Sequence, residues 1–182
     1  EDIVQWKIGY CVSGQYSGRV IIPSFSCEGK LNYFVARSYD NHWKKYMNPP
    51  VSRNIIFNDL MIDWNSDIIL VEGVFDAIKA GQNAIPLLGS QLNEYSRLFQ
   101  KIINYGSKVY LALDPDAEKK SANLIKKMLT YDIELDRIEI MPYSDVGEMT
   151  RDEFIKRKER AKTVSSSFGE FFNYLLERAV KI

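Results

Sequence analysis

The sequence has few of the residues that build disulfide frameworks or zinc sites. Its two cysteines, Cys11 and Cys27, are not in C-x-x-C spacing, and His42 is its one histidine. We therefore expect neither a disulfide framework nor a zinc site within the chain, and a reducing compartment is the default. No apolar run is long enough to span a membrane and no secretory signal is visible, so we expect no membrane association.

The chain also lacks an excess of charge of either sign, with 24 basic and 24 acidic residues among 182. The distribution is uneven: residues 1–55 carry net +3, residues 56–150 net −6, and residues 151–182 net +3. An acidic middle between basic ends is compatible with a metal-binding centre that has basic approaches for a polyanion. Hydrophobic residues make up 46 % of the chain, enough to build a packed core.

Short apolar runs alternate with amphipathic segments through the middle of the chain. Alternation of this kind predicts an α/β fold, with a mostly parallel sheet flanked by helices. A β-rich hairpin and a polar, aromatic loop precede this region, and helices follow it. The predicted strands are 18–25, 30–39, 67–72, 83–89, 108–114 and 137–142, the loop is 41–54, and the helices are 74–81, 93–106, 117–131, 150–162 and 166–180.

Acidic residues follow three of the predicted parallel strands. Glu72 ends the strand "DIILVE", Asp114 ends "KVYLALD", and Asp145 comes shortly after "RIEIM". The carboxyl ends of parallel strands share one edge of the sheet, so these carboxylates are expected to lie together there. The ionised forms of clustered carboxylates are disfavoured unless a cation neutralises them, and hard oxygen ligands suit Mg²⁺ or Mn²⁺. One acid alone would be an ordinary turn or capping residue; three in order favour metal-assisted phosphoryl transfer.

The pattern "VEG-x-x-D-A" followed by "LDPD" resembles the Toprim domain. Within that group the chain resembles the catalytic core of a DnaG-type primase, of a phage-like or divergent kind. Beyond Toprim the resemblance rests on "GRVIIPSF", "KLNYFVARSY", "KKYMNPP", "PLLGSQL" and "PYSDVGEM". It implies a small basic β-rich subdomain at 1–58, a Toprim domain at 59–149, and C-terminal helices at 150–182.

The resemblance also implies roles for individual residues. Catalysis would rest on Glu72, Asp114 and Asp116, with Glu72 either a metal ligand or the general base for a 3′-hydroxyl. The implied metal is Mg²⁺ or Mn²⁺, and the implied setting is the cytoplasm of a bacterial or phage-infected cell. The implied metal ligands are Glu72, Asp76, Asp114, Asp116 and Asp145, and the implied nucleotide- and template-binding residues are Arg19, Arg37, Lys45, Asn48 and Gly73.

The implied substrates are a single-stranded DNA template and ribonucleoside triphosphates. A replicative helicase is the implied partner, through a part outside this chain. The zinc-binding module that such primases carry upstream does not occur in these residues, so the chain is expected to be a fragment or to work with another chain. The third acidic motif reads Asp145-Val146-Gly147 instead of D-P-D, which leaves open whether Glu148 replaces the missing aspartate and how many metals bind.

Two other functions fit the same acids. A Toprim nuclease would use them to hydrolyse a phosphodiester, and a degenerate module would only bind nucleic acid. The upstream block with "GRV", "ARSY" and "KYMNPP" favours a primase over a nuclease. The altered third motif gives the binding-only alternative its weight. The exposed basic run "KRKER" at 156–160 is interpreted as a solvated helix face.

Overall fold

The computed structural model describes residues 1–40, 43–89, 92–114 and 118–164. Within it the chain forms two compact units, Glu1–Ile62 and Asp63–Ile182. The roles expected for Asp116, the first two residues of the loop expected at 41–54 and the helix expected at 166–180 lie outside the described residues. The division of the chain at 58 and 149 stays a prediction, although the two units divide four residues later than its first boundary.

The first unit is built on a three-stranded antiparallel sheet in the order β1-β2-β3. A short helix α1 (Asp2–Gln5) leads into β1 (Gly9–Cys11), β2 (Arg19–Phe25) and β3 (Leu31–Ser38). The predicted hairpin is therefore present, and its turn places Gly29 at φ +76°, where a residue with a side chain would be strained. Ile22, Tyr33 and Val35 form the buried face of this sheet.

The described part of the loop predicted at 41–54 pairs with β3 at one position. The Lys45 carbonyl accepts a hydrogen bond from Ser38 N, and Met47 N donates to the Ala36 carbonyl. Tyr46 thereby pairs with Arg37 as a single antiparallel bridge beside β3. A 3₁₀ turn at Asp59–Met61 closes the unit.

The second unit is a five-stranded sheet in the order β5-β4-β6-β7-β8. The pairs of β4 with β5 and β6, and of β6 with β7, are parallel, while β8 runs antiparallel to β7. The mostly parallel α/β fold predicted from the sequence is confirmed. The strands are β4 (Ile68–Val71), β5 (Ala84–Pro86), β6 (Val109–Ala112), β7 (Leu135–Arg137) and β8 (Lys162–Thr163), and the helices are α2 (Val74–Ala80), α3 (Arg97–Tyr105), α4 (Glu118–Thr130) and α5 (Arg151–Glu159).

The core of the second unit surrounds the interior strand β4, which lies between β5 and β6 and whose four residues are all buried. Complete burial is typical of a parallel strand covered on both faces, and it explains the unbroken apolar run "IILV". Phe99 and Ile102 of α3 and Ile125 and Met128 of α4 are fully buried. The core therefore holds β4 and β6 rigidly, and both strands end at the same edge.

The structure contains α1 and β1, which were not predicted, and α3 begins at Arg97 rather than at residue 93. Two further elements differ from the sequence prediction in their bounds. The strand expected at 137–142 is wrong in its bounds, because β7 covers Leu135–Arg137. Ile138 and Ile140 are buried and Glu139 is exposed, so the alternating pattern is real, but residues 139–142 lie beyond the ladder that β6 offers. The helix expected at 150–162 ends at Glu159, and Lys162–Thr163 instead form β8. No helix among the described residues is long and apolar enough to cross a membrane.

Candidate active site

Glu72 and Asp114 lie where two neighbouring parallel strands end. Glu72 directly follows β4, and Asp114 follows β6 by two residues, with Val71 and Ala112 as register partners. The backbone of Glu72 is therefore level with that of Leu113, one residue before Asp114. Both acidic residues are partly buried. The two strand ends that carry these acids thus lie side by side at the carboxyl edge of the sheet, and the expected meeting of the carboxylates themselves stays a prediction.

Asp76 lies in the first turn of α2 and is only 8 % exposed. Its Oδ2 accepts a hydrogen bond from Gly73 N at 2.9 Å, and its Oδ1 accepts one from Gly147 N at 3.0 Å. Burial raises the pKa of Asp76, although the two N–H donors favour its ionised form, and the nearby Asp145 charge raises the pKa further. The carboxylate thus faces backbone donors from two separate turns.

Gly73 begins α2 as its N-cap, with extended backbone. Its N–H is the group that donates to Asp76, and a Cβ added at this position would lie 2.9 Å from Asp76 Oδ2. Glycine is therefore needed here for the close approach of a carboxylate rather than for an unusual backbone angle.

The carboxylates of Asp145 and Glu148 accept backbone hydrogen bonds at the 3₁₀ turn Val146–Glu148. Asp145 caps this turn, and its Oδ1 accepts a hydrogen bond from Glu148 N at 3.0 Å. Glu148 Oε2 accepts from Ser144 N at 2.9 Å, and this bond lowers the pKa of Glu148. Such reciprocal bonds resemble a capping box and give both acids a structural reason to be here.

Arg157 of α5 holds the chain that leads to this turn. Its Nη1 donates to the carbonyls of Glu139 and Met141, both at 2.7 Å. Its Nε donates to Glu153 Oε1 at 2.7 Å, and the guanidinium lies 5.3 Å from the ring centre of Tyr143. The interpretation of "KRKER" as a solvated face is therefore wrong for Arg157. One signal was available in the sequence, since Glu153 and Arg157 have the i, i+4 spacing of a helical ion pair.

The described residues contain no group of three His, Cys, Asp or Glu side chains that could hold a metal ion. Glu72 and Asp114 nevertheless offer the hard oxygen donors that Mg²⁺ prefers. Mg²⁺ is usually bound by one or two protein carboxylates, together with waters and substrate phosphates. Glu72 and Asp114, at the carboxyl edge of the sheet, fit a site of this kind, in which waters and substrate phosphates would supply the other ligands of the metal.

The predicted nucleic-acid-binding residues of the first unit differ in exposure. Arg19 is only 4 % exposed, and its guanidinium donates to the carbonyls of Lys44 and Lys45 at 2.9 and 3.2 Å. Asn48 Oδ1 accepts from Ala36 N. The side chain of Lys45 is exposed, and that of Arg37 is partly exposed. Arg19 and Asn48 thus hold the backbone of the 44–48 segment, which carries Lys45.

Aromatic rings accompany Arg37 on one face of this sheet. The register places Tyr10, Val20, Arg37 and Tyr46 in one cross-strand row, whose side chains share a face. Arg37 Nη1 donates to the Tyr46 hydroxyl at 3.1 Å and lies over the Tyr46 ring. Tyr10 meets Tyr39 edge-to-face with ring centres 5.6 Å apart. Tyr39 is 69 % exposed, and Trp43 in the adjoining loop is 88 % exposed.

Comparisons by sequence and by structure both find DNA primases. No family model matches the chain. A DNA primase from Clostridium acetobutylicum is 29 % identical over 188 aligned positions, which cover 94 % of this chain and 28 % of that protein. The chain thus spans little more than a quarter of the curated relative.

Solved primase structures share the fold. The Aquifex aeolicus primase, with its zinc-binding and RNA polymerase domains, matches 98 % of this chain and 56 % of its own at a TM-score of 0.67 and 20 % identity. A DnaG primase catalytic domain bound to single-stranded DNA matches 97 % of this chain and 62 % of its own at 0.69 and 16 % identity. The chain therefore shares the fold of primase catalytic domains, and over nearly its whole length it is similar in sequence to part of a bacterial DNA primase.

Proposed function

We propose that this chain is the catalytic part of a primase, which joins ribonucleotides into short RNA primers on single-stranded DNA. The observation that carries the proposal is the placement of Glu72 and Asp114 at the ends of adjacent parallel strands, in a fold shared with a primase catalytic domain bound to single-stranded DNA. The reaction joins a 3′-hydroxyl oxygen to the α-phosphorus of a nucleoside triphosphate and releases pyrophosphate.

Glu72 and Asp114 would hold Mg²⁺ or Mn²⁺ together with Asp116, and Asp145 would be a secondary ligand. A bound divalent cation stabilises the charge that develops on the attacking and leaving oxygens. Glu72 could instead take the proton of the attacking hydroxyl, as its place directly after the rigid strand β4 would keep it at a fixed position. The burial of β4 and β6 supports either role, because a rigid strand end limits the movement of the carboxylate.

The first unit would hold the template through Lys45, Arg37 and the exposed rings. Lysine and arginine neutralise phosphates, and exposed aromatic rings stack on bases without sequence preference. We assign Arg19 and Asn48 an indirect part. Arg19 donates to the carbonyls of Lys44 and Lys45, and Asn48 accepts a hydrogen bond from Ala36 N, which ties the segment that carries Lys45 to β3. This refines the expectation that all four would line the nucleic-acid path.

The test is primer synthesis on a single-stranded template with labelled ribonucleotides and Mg²⁺ or Mn²⁺. Glu72→Gln and Asp114→Asn keep the size of each side chain and remove its charge, so we expect incorporation to fall by about 10²-fold or more. Glu159→Gln, at an exposed glutamate that ends α5, is the matched control and should retain wild-type incorporation. Loss of the template strand would instead favour a nuclease, and retardation of DNA without new RNA a module that only binds.

Metal binding can be tested separately by thermal melting. A ligand that binds only the folded state raises the melting temperature. Mn²⁺ should therefore shift the midpoint of the wild type and shift that of Asp114→Asn less. An equal shift in both proteins would argue against the assigned ligand.

A further inference from the structure

The carboxylate of Asp76 connects two turns that are far apart in the sequence. Its Oδ2 faces the N–H of Gly73, directly after Glu72, and its Oδ1 faces the N–H of Gly147, in the turn that follows Asp145. The bond to Gly147 spans 71 residues of sequence. Both oxygens thus meet backbone donors, and little of the side chain is open to solvent.

The glycines at both ends fit this arrangement closely. A Cβ at Gly73 would lie 2.9 Å from Asp76 Oδ2, closer than real Cβ contacts occur. A Cβ at Gly147 would lie 3.1 Å from Asp145 Oδ1 and 3.3 Å from Asp76 Oδ1. The absence of a side chain at each position allows the backbone to approach the carboxylate, so the three residues form one hydrogen-bonded unit.

We propose that Asp76 is a positioning residue, which ties the Glu72–Gly73 turn to the turn that carries Asp145, and that it is not a metal ligand. The proposal concerns the same site as the proposed primer synthesis and rests on that function for its catalytic consequence. The hydrogen bonds fix the relative position of two chain segments that β-strand pairing does not join. A carboxylate used in this way would set the geometry of Glu72 without touching the substrate.

The first test does not depend on any activity. Hydrogen exchange at Gly73 N–H and Gly147 N–H should be slow in the wild type, because both are bonded to a buried carboxylate. Asp76→Asn turns one acceptor into a donor, so at least one of these amides should exchange about tenfold faster or more. Asp63→Asn is the control, because the Asp63 carboxylate also accepts a backbone N–H bond, from Asn65, but outside this site. The control should leave exchange at both glycines unchanged.

The second test separates positioning from metal binding. In Asp76→Asn, the Mn²⁺ concentration that gives half of the melting shift should stay within about threefold of the wild-type value, whereas Asp114→Asn should raise it about tenfold or more. The kcat for primer synthesis should fall in Asp76→Asn while the KM for nucleotide stays nearly unchanged, the signature of an interaction that acts in the transition state.

Gly147→Ala gives an independent variant if Asp76→Asn does not fold. It leaves the carboxylate in place but crowds its bond to Gly147, so we expect the same loss of kcat. Unchanged exchange at both Gly73 and Gly147 in Asp76→Asn would overturn the proposal, as would a loss of Mn²⁺ affinity equal to that of Asp114→Asn. Failure of the wild type to make primers would refute the proposed function alone, because the exchange result would still decide the role of Asp76.

Discussion

Replacing Arg157 with methionine should destabilise the second unit by about 2–3 kcal/mol. The substitution keeps an unbranched side chain with good helix propensity and removes three polar contacts. A hydrogen bond from a charged group contributes about 1.5–3 kcal/mol, and the Arg157 side chain is 21 % exposed, so we take about 1 kcal/mol for each bond to the carbonyls of Glu139 and Met141. The ion pair with Glu153 adds about 0.3–0.5 kcal/mol.

Thermal melting is the assay for this variant. A loss of 1 kcal/mol lowers the melting temperature by about 2–4 °C in a protein of this size, so Arg157→Met should melt about 4–12 °C below the wild type. The bonds hold the segment that leads to Asp145, and primer synthesis should therefore fall while binding of single-stranded DNA is retained.

Glu153→Gln is the matched control, since it removes only the ion pair on the same helix. Its midpoint should fall by no more than about 2 °C. If Arg157→Met melts no lower than Glu153→Gln, the two carbonyl bonds contribute nothing measurable, and the anchoring of the 139–145 segment by α5 is refuted.

Three further predictions concern residues outside this contact. Lys45→Ala should weaken binding to all single-stranded DNA sequences alike and make the salt dependence of binding shallower by about one unit, measured by titration at several salt concentrations. Trp43→Ala should instead reduce the free energy of binding by about 1–3 kcal/mol, with little change in the salt dependence. Arg19→Met should lower the melting temperature, because the buried Arg19 guanidinium donates to the carbonyls of Lys44 and Lys45, and a melting temperature equal to that of the wild type would contradict this. Lys108→Met should lower the free energy of unfolding, measured with denaturant, by about 2–3 kcal/mol. The substitution removes the ammonium group 3.0 Å from the Asp136 carboxylate, whose side chain is only 9 % exposed. The double variant Lys108→Met/Asp136→Leu should recover most of that loss.

Much of the fold could be predicted because local pattern and burial agree in it. The run "IILV" is apolar throughout and becomes β4, which is buried on both faces. Gly106 was expected to end a helix, and it follows α3 in the left-handed conformation. Parallel strands share a carboxyl edge, so the strand-exit positions of Glu72 and Asp114 were enough to predict that they lie at one edge.

Strand bounds were harder to predict where the pattern continued beyond the pairing partner. Residues 138–140 alternate between buried and exposed as a strand would, yet β7 ends at Arg137. Alternation reports which side chains face the core, whereas a strand also requires a neighbour with free hydrogen-bonding groups. The ladder between β6 and β7 ends at the pair of Leu111 with Arg137, so the end of β7 depends on residues from another part of the chain.

The sequence by itself determined the alternation of strands and helices, the acids at the strand ends and the basic, aromatic character of the first unit, because each depends on residue type and short spacing. Only the tertiary structure decided which hydrogen-bond partners the charged side chains have. Asp76 accepts bonds from Gly73 and Gly147, Arg19 is buried on the carbonyls of Lys44 and Lys45, and Arg157 holds Glu139 and Met141. A charged side chain can ligate a metal, contact a phosphate or bind backbone, and which of these it does depends on the groups that folding brings within about 3 Å of it.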